Sequence, residues 1–237
     1  MNRWISFATL VLFAGIARAD VTLGVLEFED AADIASSTEP LFNVGNDYFD
    51  RTTEAAIPAS FTNPSGSFFA AQDIDGIAAS PVQSITLRSL GIAGFDDLVF
   101  SGLFAEDFAS DSAFDWDDDD YFRLTYQIDG GAITNLLWFE GSGGANTQAL
   151  RDTDFDGVGD GAALNDTFTL FEAPITGTGS EIVFTAEMRL NAGDEDIAFD
   201  TFMVRSVTAV PEPGSVALLS ALVGAVAIGR RRRRRQV

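Results

Sequence analysis

Alternation of apolar and polar side chains with a period of two recurs through the middle of the chain. In residues 121–131, "YFRLTYQIDGG", Phe122, Leu124, Tyr126 and Ile128 alternate with Arg123, Thr125 and Gln127. The run ends on Asp129-Gly130, a pair suited to the positive φ angles of a tight hairpin turn. "SITLRSL", residues 84–90, sets Ile85, Leu87 and Ser89 against Thr86, Arg88 and Leu90. Similar runs are "VTLGVLEFE", "LVFSGLFA", "TNLLWFEG", "TFTLFEAPI", "SEIVFTAEMRL" and "DIAFDTFMVRSV", separated by Gly, Pro, Asn and Asp, with no long stripe of helical period between them. The pattern predicts one all-β domain of about eight to ten strands, arranged as a two-sheet, jelly-roll-like β-sandwich. Residues 31–59 alternate least, and are expected to form a loop over one end of the sandwich or a partly helical excursion. There is no internal repeat.

The two ends follow other patterns. "MNRWISFATLVLFAGIARAD" has a basic start at Arg3, an apolar stretch from Trp4 to Ile16, and Ala17-Arg18-Ala19 before Asp20. That is the layout of a secretory signal peptide cleaved after Ala19, the alternative being a buried first helix. The other end, "VPEPGSVALLSALVGAVAIGRRRRRRQV", runs from Pro211, Glu212 and Pro213 through sixteen uncharged residues, 214–229, to six arginines, Arg230, Arg231, Arg232, Arg233, Arg234 and Arg235. As an apolar helix those sixteen residues reach about 24 Å, short of the roughly 30 Å hydrocarbon core unless the arginines snorkel or the membrane thins. The arginines are expected to stay cytoplasmic, leaving a β-sandwich ectodomain, residues 20–209, on the outer side of the membrane.

Charge sharpens the picture. The chain has no lysine, and between Asp20 and Val210 it sets 35 acidic residues against six arginines, a net charge of −29. Such a surface excludes nucleic acid as a partner, because a phosphate backbone is held by Lys and Arg. Clustered carboxylates must be solvated or neutralised, and outside a cell the abundant neutraliser is calcium. The absence of cysteine removes disulfides, so the fold depends on its core, which 21 phenylalanines supply. The absence of histidine removes Ser-His-Asp and Cys-His catalysis and disfavours zinc or copper.

"DTDFDGVGDG", residues 152–161, carries the sharpest chemical motif. Asp152, Asp154 and Asp156 alternate so that a wrapped loop brings them to one cation. Gly157 permits the turn, the Val158 carbonyl offers another oxygen, and Asp160 falls where a direct or water-mediated ligand would lie. The alternative is an ordinary turn rich in Asp and Gly. The spacing resembles the calcium loops of EF-hand, dockerin and thrombospondin type 3 proteins, but Ala163 stands where the EF-hand has its bidentate Glu.

"LEFED" and "AGDEDIAFDTFMV" resemble the two ends of calcium-containing jelly rolls, including many carbohydrate-binding modules. That resemblance implies a structural ion shared by Glu29 and Asp200, with Asp196 as a helper; otherwise Asp194, Glu195 and Asp196 form a solvated turn. In "FDWDDDDYF", Asp118 and Asp119 read as a solvated loop.

Trp116 and Trp138, with Tyr121 and Tyr126, are candidates for a sugar-stacking platform or for the core. Paired carboxylates serve glycosidases, but among 35 acidic residues pairing is uninformative. The string from "FDDLVFSGLFAED" to "AGDEDIAFDTFMV" resembles a domain of secreted bacterial surface proteins over residues 21–207 and contributes no catalytic residue. The order Pro-Glu-Pro, apolar run, arginine cluster resembles the PEP-CTERM sorting signal. It implies export through the Sec translocon, transient anchoring in the inner membrane, and processing near Pro211 by an exosortase that passes the domain to the cell surface; the alternative is a permanent one-helix anchor. The expected function is therefore a calcium-stabilised, non-enzymatic protein of the cell surface or extracellular matrix. The alternatives are a carbohydrate-binding module acting on exopolysaccharide and, further off, an acidic polysaccharide hydrolase.

Overall fold

The computed structural model describes residues 16–107 and 114–211. Among them, fourteen strands form two sheets of seven. The first sheet has the order β12 (Thr169–Ile175), β8 (Leu98–Ala105), β14 (Asp196–Pro211), β5 (Phe68–Gln72), β4 (Asp47–Thr52) and β3 (Phe42–Val44), with β1 (Ile16–Leu26) also on β14. The second has the order β11 (Leu150–Asp152), β10 (Thr134–Glu140), β9 (Tyr121–Ile128), β13 (Glu181–Arg189), β6 (Val82–Leu87) and β2 (Ile34–Ser37), with β7 (Leu90–Gly91) also on β13. The two-sheet all-β sandwich is as the alternation predicts, but the strands outnumber the eight to ten expected, because short ones such as β3, β7 and β11 carry no readable period. Its main unit is Val21–Ser206; a second unit comprises the two chain ends, of which only residues 16–20 and 207–211 are described.

Phenylalanine joins the sheets. Phe199 of β14 contacts Phe69, Phe122 and Phe202 at ring-centroid distances of 5.1, 5.2 and 5.2 Å. Phe104 of β8 meets Phe139 of the opposite sheet at 5.1 Å. All six rings are fully buried. Phe199 and Phe202 are three residues apart, so a regular strand would point them to opposite faces. A register shift between Asp200 and Met203, with Thr201 at φ 50°, turns both inward.

Residues 31–59 differ from expectation. They contain β2, β3 and β4 and only single-turn 3-10 helices. These strands are short, and β3 is a half-exposed edge, so little alternation accumulates. β5, "FFAAQ", also lacks alternation, for the opposite reason: every residue is buried. Phe69 and Ala71 face the main core, while Phe68 and Ala70 join Tyr48, Phe61 and Phe168 in a smaller cluster.

The apolar helix expected at 214–229, Glu212, Pro213, and the cluster Arg230–Arg235 lie outside the described residues, as do residues 1–15 of the expected signal peptide. No helix of the described residues is long and apolar enough to cross a membrane.

Candidate functional site

The acidic loop winds around Asp152, which ends β11 and is 1% exposed. One oxygen of Asp152 accepts the N–H groups of Asp154 (3.2 Å) and Phe155 (2.6 Å), and the other accepts that of Gly157 (2.9 Å). The path needs its glycines. Gly157 sits at φ 91°, and a Cβ on Gly159 would lie 2.5 Å from the Glu140 carbonyl oxygen. The result brings one oxygen each of Asp152, Asp154 and Asp156 within 4.8 Å of one another. Mutual repulsion, chiefly from Asp156, holds the Asp154 carboxyl above its ordinary range.

Asp160 is placed differently from the expectation. Its carboxylate accepts the Thr153 N–H (3.0 Å) and hydroxyl (2.8 Å), which lowers its pKa and closes the base of the loop. Val158 is exposed, and its N–H donates to Asp156 at 3.0 Å. A hard cation with oxygen ligands fits the Asp152, Asp154 and Asp156 set, since these are acceptor-only groups clustered on one side of a loop whose amides already fix Asp152.

The loop leans on the second sheet. Phe155 packs edge-on against Trp138 of β10, and the Arg123 guanidinium lies 4.5 Å from the Trp138 ring and 4.0 Å from the Tyr121 ring. Arg123 also bonds Glu140 at 2.8 Å. Register extends this group across the sheet: Trp138 is opposite Arg123, Arg123 opposite Glu187, and Glu187 opposite Ser84. Tyr121 pairs with Arg189 in one neighbouring row, and Thr125, Thr185 and Thr86 form the other. These side chains are half-buried on the outer face.

Trp116 is corrected from a candidate platform residue to a core residue. It is fully buried, and its indole N–H donates to the Asp196 carbonyl at 3.0 Å. Trp138 remains at the surface, but between Arg123 and Phe155 rather than as an open ring.

Glu29 acts on Asp200 through its charge. Asp200 is 2% exposed at the β14 bulge, and burial, helped by the charges of Glu29 and Glu27, raises it to about 6. Glu29 accepts the Ser67 N–H at 2.9 Å. Asp196 does not belong with them: it accepts the Asp107 N–H at 2.8 Å and acts on Glu106. Four residues along a strand separate it from Asp200 by more than a side-chain reach.

The sequence reading missed the buried acids at this end of the sandwich. Glu106 is 2% exposed and is pushed up to about 9 by burial, with Asp196 adding to the effect. Asp120 is fully buried and is likewise pushed up to about 9, first by burial and then by Glu195. Asp107, Asp115, Asp194 and Asp196 line a cavity of about 150 Å³ nearby. The available signal was local: Glu106 and Asp107 directly continue the buried run of β8, and Asp120 directly precedes β9.

No family model matches the chain, and no curated protein matches it. Solved structures align with most of the chain at low similarity. The CBM22-1 xylan-binding domain from Paenibacillus barcinonensis Xyn10C is 12% identical with a TM-score of 0.39, over 82% of this chain and 99% of that one. A Stig cyclase from Fischerella is 11% identical with a TM-score of 0.44, over 81% and 100%. A cleaved adhesin domain of Lys-gingipain from Porphyromonas gingivalis is 15% identical with a TM-score of 0.40, over 79% and 99%. At these values the likeness reaches no particular residue or activity.

Proposed function

We propose that this chain is a surface-displayed, non-catalytic polysaccharide-binding module, and that the outer face of the second sheet is its ligand surface. The observation that carries this reading is the row Trp138, Arg123, Glu187 and Ser84, with Tyr121 and Arg189 beside it. A polysaccharide offers hydroxyl groups that donate and accept, and flat C–H faces. It is met by amphipathic aromatic rings interleaved with charged and hydroxyl side chains, held on a rigid surface. Arg123 is fixed by Glu140 and by two rings, so little of its freedom is lost on binding. Calcium in the Asp152, Asp154 and Asp156 loop would hold Phe155 against Trp138 and so order one margin of this face.

Export through the Sec translocon and sorting by an exosortase at the Pro211, Glu212 and Pro213 tail would display the module on the cell surface, where exopolysaccharide is its expected ligand. A glycan array probed with the full-length chain, with and without calcium, tests the reading. Binding to a polysaccharide, lost in Arg123→Ala, is expected. An array with no bound glycan in either condition overturns it in favour of a matrix protein with a protein partner. Turnover of a bound glycan, abolished by one Asp or Glu substitution, overturns the non-catalytic part.

A further inference from the structure

Two turns meet at the acidic end of the sandwich, one before β9 and one between β13 and β14. In the first, the Asp117 N–H donates to Asp120 at 2.7 Å, and the Asp119 N–H donates to Asp117 at 2.7 Å. Asp119 also bridges to Arg189 at 2.9 Å, which fastens this turn to the end of β13. In the second, one oxygen of Glu195 accepts the N–H groups of Asn191 (2.7 Å) and Ala192 (2.8 Å). The Trp116 indole N–H reaches across from the first turn to the Asp196 carbonyl of the second. Both turns are therefore held by their own bonds before anything binds between them.

Asp117, Asp120 and Glu195 each present an oxygen to this junction, all within 4.8 Å of one another. Asp120 is fully buried and Glu195 is 4% exposed. Asp120 accepts the Asp117 N–H through Oδ2, and its Oδ1 is buried with no donor other than a proton shared with Glu195. A buried carboxylate oxygen facing another buried carboxylate is strongly unfavourable unless a positive charge joins them.

We propose that Asp117, Asp120 and Glu195 form a second, buried cation site that takes calcium and pins the β13–β14 turn to the turn before β9. Three oxygens within 4.8 Å fit one coordination sphere of radius about 2.3–2.6 Å, whose diameter is about 5 Å. The all-oxygen donors suit a hard cation rather than zinc or copper. A shared proton would satisfy two of the three oxygens, whereas a cation satisfies all of them. The site is separate from the Asp152 loop and does not rest on the polysaccharide reading.

The test begins from a full-length background variant, Asp154→Asn, Asp156→Asn and Glu29→Gln, three exposed substitutions that remove the other candidate ion positions. Native mass spectrometry with calcium as the probe is expected to find one ion retained per chain, and calcium is expected still to raise the melting temperature. Adding Asp120→Asn should remove that ion and the calcium response. A background variant that retains no ion overturns the site. So does an Asp120→Asn chain whose calcium response equals that of the background, which would mean that Asp120 and Glu195 share a proton. If Asp120→Asn does not fold, Asp117→Asn at the half-buried ligand is read in the same way.

Discussion

Phe155 of the acidic loop meets Trp138 of β10 edge-on, with ring centroids 5.1 Å apart and an interplanar angle of 73°. The contact couples a loop rich in carboxylates to the face proposed to bind polysaccharide. Phe155 holds φ 64°, a left-handed conformation rare for an aromatic residue, so the loop must be firmly closed to keep it there. Its closure depends on Asp152 and Asp160, which gather the N–H groups of residues 153, 154, 155 and 157.

Chelation should therefore be visible at Trp138. Removing calcium is expected to change tryptophan emission and to lower the melting temperature. With a millimolar-class dissociation constant the loop contributes about 1 kcal/mol at physiological calcium, rising to about 2.7 kcal/mol at 100-fold saturation. Asp154→Ala with Asp156→Ala should remove the part of the emission change that comes from Trp138, while leaving a calcium response from the buried site beside Trp116. Unchanged emission and melting in chelator and in excess calcium would make the loop an ordinary turn.

Trp116 and Trp138 should respond differently to substitution. Trp116 is fully buried and hydrogen-bonded, so Trp116→Ala is expected to destabilise the fold by about 3–5 kcal/mol. Trp138→Ala should cost less stability and lose glycan binding, because its ring helps to position Arg123. Isothermal titration with the array-identified glycan, beside urea unfolding of both variants, checks this. Full binding by a folded Trp138→Ala chain would remove the ring from the ligand surface.

Much of the sandwich was legible because several of its strands are buried on one face only. β6, β9 and β13 alternate strictly, and the Asp129-Gly130 turn takes the φ angles of 50° and 68° that its residues suggest. Where both faces are buried, as in β5, the period disappears from the sequence. The Asp152 loop was legible because its ligands are local. Asp117, Asp120 and Glu195 were not, because two of them lie about 75 residues from the third and only the strand order brings the turns together. Trp116 stayed open between platform and core, because an indole preceded by Asp115 and followed by Asp117 carries no alternation that says which way it faces.

The sorting reading predicts a mass. Protein recovered from the surface of its own host should lack residues 1–19 and everything from near Pro211 onward, measured as an intact mass. An intact Arg230–Arg235 tail on surface-recovered protein would show a permanent anchor instead.

Glu106 predicts how stability depends on pH. In the unfolded chain it titrates as an ordinary glutamate near 4.5, whereas burial raises it to about 9 in the fold. The Asp196, Asp115 and Asp107 charges add to that rise, and the Ala149 N–H opposes it. Between those values the folded protein keeps a proton that the unfolded chain has released. Its contribution is fully present below about pH 4.5 and is lost as pH rises toward 9, at up to about 1.4 kcal/mol per unit. In chelator, which keeps calcium from the other acids, the urea midpoint is expected to fall steadily from pH 5 to pH 9. Glu106→Gln retains a carbonyl to accept the Ala149 N–H and carries no charge to bury. It should flatten the slope by about one proton and make the variant more stable than the parent at pH 8. Equal slopes in parent and variant would mean that Glu106 ionises in the fold without penalty, and that a cation or an incoming donor compensates it.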